Sequence, residues 1–316
     1  VTIRNVSDLL SRGSGEGRLE LPTHSGKAKG AGSELSTLGL LEQRRQMLDR
    51  EQARSLAELH PLISDNRDVE NMHYMVGRHY SGSDDAELCA IKLRCGEQLR
   101  RGGGARRKNA NKDAMDDVTL AKSNQRARSN VRRKCLSACV DRLLTLTFRE
   151  NVTDVDEAWS CFEYFCKLMR HQFPNRWQYV AVPEYQERGA VHFHVAIKGF
   201  FNVNLVRKLW LRAAGKREGN IDITSPRRAG KNSWNPRRVG NYIAKYISKD
   251  ADTAEFNRRR FSTGGKIELP PVMRGWLVLG VPVISVMTDV IGAMTHRPVR
   301  SVFESDDYRS VTYLST

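Results

Sequence analysis

"PEYQERGAVHFHVAIKGF", Pro183 to Phe200, carries two histidines one residue apart inside an otherwise apolar run. In a strand, alternate side chains share a face. Val191, Phe193, Val195 and Ile197 then point to one side, and His192 and His194 to the other. "QERG" reads as the turn joining this strand to an earlier one, "WQYVAVPEY" (Trp177 to Tyr185). A turn centred on Arg188 places Glu184 directly opposite His192. Opposed residues of an antiparallel pair share a face, roughly 5 Å apart at Cβ. Two imidazoles and a carboxylate thus converge on a rigid hairpin, a donor set for a divalent metal with open positions. The same set serves zinc hydrolases and iron oxygenases, so the chemistry stays open at this point.

On either side of the hairpin the pattern is regular. "LLTLTF" (Leu143 to Phe148) alternates Leu144, Leu146 and Phe148 with Thr145 and Thr147, which predicts a half-buried strand. "DVDEAWSCFEYFCKLMRHQF" follows, with Asp154 and Glu157 as an N-terminal capping signal. Trp159, Phe162, Cys166 and Met169 make one apolar stripe, so this segment predicts a helix, closed by Pro174. "NLVRKLWLRAAG" predicts a second helix, "NIDIT" a short strand, and "GNYIAKYISKD" (Gly240 to Asp250) a third helix capped by Asn241. The order β-α-β-β-α-β-α predicts an α+β fold, a central antiparallel sheet flanked by helices, of the split βαβ kind.

The third helix narrows the chemistry. Tyr242, Lys245, Tyr246 and Lys249 fall at i, i+3, i+4 and i+7, one stripe of a helix, while Ile243 and Ile247 lie on another face and can anchor it on the sheet. A tyrosine oxygen can attack a phosphodiester and form a covalent phosphotyrosine. Its pKa near 10 makes it a weak nucleophile at neutral pH. A metal on the scissile phosphate and a nearby cation would supply the missing electrostatic stabilisation.

Together, "LTLTF", "PEYQERGAVHFHV" and "YIAKY" resemble the three motifs of the HUH endonucleases, in order. More closely they resemble the two-tyrosine rolling-circle replication initiators of single-stranded DNA phages and bacterial plasmids. The resemblance covers roughly residues 141–261. It implies that His192, His194 and an upstream acidic residue, here Glu184, hold Mg²⁺ or Mn²⁺. It implies that Tyr242, three before Lys245, nicks one DNA strand, stays joined to the 5′ phosphate and frees a 3′ hydroxyl for a polymerase. Tyr246 is then the second nucleophile, cutting the regenerated origin while Tyr242 still holds the old end. The implied partners are single-stranded or hairpin origin DNA, a host helicase and a host DNA polymerase. Within the same chemistry the alternative is a two-tyrosine transposase or relaxase. Outside it stand a non-catalytic DNA-binding repressor and a metal hydrolase of small phosphoesters.

Composition agrees with a nucleic-acid partner. Of 316 residues, 52 are Lys or Arg and 36 Asp or Glu, a formal charge of +16 that calls for a polyanion. The longest apolar run, "WLVLGVPVISVM" (Trp276 to Met287), is too short to span a membrane and contains a proline; it reads as two strands around Gly280 or Pro282. No basic-then-apolar leader opens the chain, and none of the six cysteines forms a CxxC pair. Thiols in a reducing bacterial cytoplasm are the expectation. "STGGKIELP" has a Gly-Lys without phosphate-loop spacing, so no nucleotide cofactor is expected.

The expected organisation is disorder over 1–35, a helical N-terminal region over 36–98, a basic linker over 99–134, the endonuclease domain over 135–275 and an extension over 276–316. Within 36–98, Leu41, Leu48, Leu56 and Leu59 sit at near-helical spacing, giving an amphipathic helix ended by Pro61. In the linker, "LRRGGGARRKNANK" and "NQRARSNVRRK" combine flexible glycines with arginines suited to phosphate. "SPRRAGKNSWNPRRVG" (Ser225 to Gly240) reads as a loop into the tyrosine helix. Its Arg227, Arg228, Lys231, Arg237 and Arg238, with Lys249 beyond, are candidate phosphate contacts. Trp234 either stacks on an unpaired base or packs beneath the loop.

Overall fold

The computed structural model describes residues 53–68, 72–93, 117–186, 189–224, 235–249, 259–305 and 311–316, with backbone alone at 117–119 and 248–249. The chain divides into two units, residues 1–102 with 270–316, and residues 103–269. In chain order the elements begin with β1 (Ile63–Ser64), β2 (Met72–Tyr80), β3 (Asp85–Lys92), α1 (Asp117–Ser137), β4 (Arg142–Phe148) and α2 (Val155–Gln172). There follow β5 (Tyr179–Tyr185), β6 (Val191–Ile197), α3 (Val203–Ala214), β7 (Gly219–Thr224), α4 (Pro236–Ala244) and α5 (Tyr246–Lys249). The last are β8 (Ser262–Gly264), β9 (Met273–Val278), α6 (Val283–Met294), β10 (Ser301–Glu304) and β11 (Val311–Ser315).

The unit of residues 103–269 is an antiparallel five-stranded sheet in the order β7-β4-β6-β5-β8. The α+β architecture expected from the β-α-β-β-α-β-α order is the one observed. On one sheet face Leu144, Leu146, Phe193 and Val195 pack against Phe162 and Phe165 of α2 and Trp210 of α3. Each such side chain contributes roughly 1.5–3 kcal/mol by leaving water. Asp154 caps α2, its carboxylate accepting from the amides of Asp156 and Glu157. The opposite face is covered too. Val180, Val182 and Ala196 of the sheet pack against Val131 and Cys135 of α1 and Val239 and Ile243 of α4.

α1 corrects the expectation of a basic linker over 99–134. Ala127, Val131, Cys135 and Ala138 recur at helical spacing and are buried, so the segment has an apolar stripe despite its arginines. Residues 99–116 lie outside the described residues. The register of β5 on β6 pairs Glu184 with His192, as the turn centred on Arg188 requires. The Gly189 amide donates to the Gln186 carbonyl at 2.7 Å, and Gly189 sits at φ +82°, a conformation that glycine adopts without penalty.

The second unit overturns the helical region expected over 36–98 and the separate extension expected over 276–316. Its six-stranded antiparallel sheet runs β1-β9-β2-β3-β11-β10, so segments from both parts of the sequence share one sheet. Ala86, Leu88 and Ala90 on β3 and Met75 on β2 alternate into a core with Leu277 and Leu314, a period of two. Met287, Val290, Ile291 and Met294 of α6 close that core. The run Trp276–Met287 is therefore a strand and the start of a helix, not two strands; Pro282 is the N-cap, where a missing amide hydrogen does no harm. Of the helix expected over Leu40–Leu59, residues 53–59 form turns and Leu56 is fully buried. Residues 40–52, and the disorder expected over 1–35, lie outside the described residues.

Candidate functional site

β6 sends His192 and His194 to the sheet face that α1, α4 and α5 cover. His194 is therefore only 5% exposed, while His192 is half-buried. Glu184 faces them from β5, and its Oε2 lies 2.7 Å from His194 Nε2. Gln186, two residues beyond Glu184 at the end of β5, brings its side-chain nitrogen to 3.1 Å from His192 Nδ1. On the other side of His194, β4 pairs Thr145 with it, and Asp222 of β7 pairs with Thr145.

The tyrosines come from above. α4 starts at Pro236, one turn earlier than the expected cap Asn241; Asn235 is the N-cap, its side-chain oxygen accepting from the Arg238 amide at 2.9 Å. The helix then breaks at Lys245, so Tyr242 lies near the end of α4 and Tyr246 opens α5. The break lets Tyr246 lie flat on His194, ring centroids 4.2 Å apart and planes 14° from parallel. Tyr242 meets the same imidazole edge-on at 5.8 Å. The Tyr246 hydroxyl donates to the Tyr242 oxygen at 2.9 Å. Lys245, itself exposed, holds its ammonium 4.2 Å from the Tyr242 ring centre and 4.8 Å from that of Tyr246. Ile243 and Ile247 are buried against the sheet, which fixes the pair in height.

Electrostatics separate the two phenols. Tyr246 is 6% exposed, and burial first, then its bond to Tyr242 and the nearby Glu184 charge, push its pKa above the usual tyrosine value. It remains a phenol and a hydrogen-bond donor. Tyr242 is half-buried and open to solvent on one side.

Glu184, His192, His194, Tyr242, Lys245 and Tyr246 thus stand together. Arg237 and Arg238 lie in the first turn of α4 rather than on a loop, Arg237 half-buried and Arg238 exposed. Lys249 ends α5, its side chain outside the described residues, as are Arg227, Arg228, Lys231 and Trp234 entirely. Gln186 was not anticipated, although alternation from Glu184 along β5 points to it.

Residues 141–251 match the family model of the replication-associated protein ORF2. The span contains all six clustered residues and supports a role in DNA replication of the initiator kind. No curated relative and no solved structure matches the chain. Among the described residues no helix is long and apolar enough to cross a membrane.

The donor types of Glu184, His192 and His194 suit a divalent cation. Among the described residues no three His, Cys, Asp or Glu side chains already surround one cation position. The short Glu184–His194 contact is a hydrogen bond, and it must open for both groups to ligate an ion.

Proposed function

We propose that this protein is a rolling-circle replication initiator that nicks one strand of origin DNA by tyrosine transesterification and later rejoins it. The observation that carries this reading is the hydrogen bond from Tyr246 to Tyr242 directly above the His194–Glu184 pair. The replication-associated family match over the same residues supports it.

Tyr242 is the first nucleophile. Its oxygen is the acceptor of the pair, so negative charge developing there is stabilised by the Tyr246 hydroxyl and by the Lys245 ammonium. The new bond joins the Tyr242 oxygen to phosphorus as the bond to the 3′ oxygen breaks. The phenol loses a proton and the leaving oxygen gains one, so no net proton is consumed. The phosphotyrosine keeps the energy of the cut bond, and rejoining needs no nucleotide. Tyr246 takes the second cut once Tyr242 is occupied. Mg²⁺ or Mn²⁺, held by His192, His194 and Glu184, would draw charge from the scissile phosphate. His194 also positions both tyrosine rings by stacking.

Nicking of supercoiled origin plasmid, followed by denaturing separation of protein–DNA adducts, tests the reading. A 5′-linked adduct on Tyr242 and a free 3′ hydroxyl are expected. Cleavage without an adduct would replace transesterification by hydrolysis.

A further inference from the structure

α1 lies outside the matched span of residues 141–251, yet it is packed against the helix that carries Tyr242. Gly240, two residues before Tyr242, marks the approach. A Cβ there would stand 3.0 Å from Cys135 Cβ and 3.4 Å from Arg132 Cα. A second tie joins α1 to the segment before β8, where the Arg260 guanidinium donates to the Asn124 side chain. The apolar stripe of α1 is used up in this packing. Its outer side carries Lys122, Arg126, Arg128 and Arg132, over a rise of about 15 Å. Among the described residues no carboxylate comes within ion-pair reach of these four. Within the helix the sequence supplies one acid, Asp117.

We infer that the outer face of α1 is a phosphate track, binding the backbone of the DNA strand that flanks the phosphate offered to Tyr242. The inference rests on the nicking function above. The exposed neighbours of the cations are Gln125 and Asn130, with no aromatic ring on that face, so it offers nothing for a base to stack on. Such a surface sets affinity and orientation and reads no sequence. An interface with an acidic protein is disfavoured by the absence of an apolar centre among the exposed residues.

The test is fluorescence anisotropy of a labelled single-stranded 30-mer with the full chain, from about 50 to 200 mM salt. The triple variant Arg126→Gln, Arg128→Gln, Arg132→Gln should flatten the slope of log affinity against log salt by about 2, at about 0.7 per lost contact. It should do so equally for origin and scrambled sequences. A control, Lys208→Gln, Arg212→Gln, Lys216→Gln, removes the same charge from residues in and just after α3, on the other sheet face, and should leave the slope unchanged. All six residues lie outside the buried cores, and circular dichroism melting of both variants should match the parent. An unchanged slope for the α1 variant, or equal flattening by both, overturns the track. If the α1 variant alone flattens the slope while the parent forms no adduct, the DNA surface stands and the nicking function falls. If the parent nicks and the slope does not move, the reverse holds.

Discussion

The Tyr246 hydroxyl donates to the Tyr242 oxygen at 2.9 Å, and both rings share one imidazole, that of His194. The two phenols are therefore unequal before any DNA arrives. The more exposed member accepts and the buried member donates. Tyr242→Phe should abolish the covalent adduct while leaving DNA affinity within about twofold, because only the attacking oxygen is lost. Tyr246→Phe should still nick, with the first cut slowed about tenfold by loss of one hydrogen bond, roughly 1.4 kcal/mol, and with strand transfer lost. Single-turnover cleavage of an origin oligonucleotide measures both. An adduct that persists in Tyr242→Phe and vanishes in Tyr246→Phe would reverse the order.

The His192, His194 and Glu184 donors make cleavage metal-dependent. His192→Ala and Glu184→Ala should each remove cleavage, as should EDTA, and Mn²⁺ should restore activity at lower concentration than Mg²⁺, because imidazole ligation favours it. His194→Ala additionally removes the surface under Tyr246, so its melting midpoint should fall where that of His192→Ala does not. Mn²⁺ binding followed by electron paramagnetic resonance separates loss of metal from loss of chemistry. Full cleavage in EDTA would sink the metal assignment.

Gln186 contacts His192 Nδ1 at 3.1 Å, so a cation on this ring would take Nε2. Gln186→Ala should weaken Mn²⁺ binding by about 10–100-fold with the fold intact. Calorimetric titration of the metal in the absence of DNA reads this directly. Equal affinity would show that the ring is held by other contacts.

How much of this was legible in the sequence follows the range of the forces involved. The β5–β6 register and the opposition of Glu184 to His192 follow from a period of two and a short turn, both local. The tyrosine stripe was visible as i, i+4, but the break at Lys245 was not, because it is set by Tyr246 lying on His194, a residue some fifty positions away. α1 was hidden by its composition, since the arginines mask a stripe built from the small residues Ala127, Val131 and Cys135. The N-terminal strands were missed for another reason. β2 and β3 complete their core with β9, β11 and α6, some two hundred residues later, and no local pattern announces that partner.

The close approach at Gly240 gives a stability test of the α1–α4 packing. Gly240→Val adds branched atoms where even a Cβ stands 3.0 Å from Cys135 Cβ, and should destabilise the unit by about 1–3 kcal/mol. Among the described residues nothing stands within 4 Å of where a Cβ on Gly292 of α6 would lie, so Gly292→Ala should be neutral or slightly stabilising by helix propensity. Urea unfolding of the two variants beside the parent measures the difference. A neutral Gly240→Val would mean that α1 is not seated on the tyrosine helix.

His73 makes the six-stranded unit acid-sensitive. It is 8% exposed on β2, and burial first, then the positive charge of Lys92 on the paired strand, lower its pKa below 6.5. In the folded unit the ring stays neutral at a pH where the unfolded chain has already taken up a proton. The stability tied to neutral His73 is therefore complete above about pH 6.5 and drains away as pH falls toward the lower folded value. The loss is up to about 1.4 kcal/mol per pH unit across that window. His73→Gln keeps a polar side chain of similar reach and removes the titration. Between pH 7.5 and 5.5 the urea midpoint of the parent should fall further than that of His73→Gln, with the two curves parallel above pH 7. Parallel curves across the whole range would show that the folded and unfolded chains protonate this ring alike.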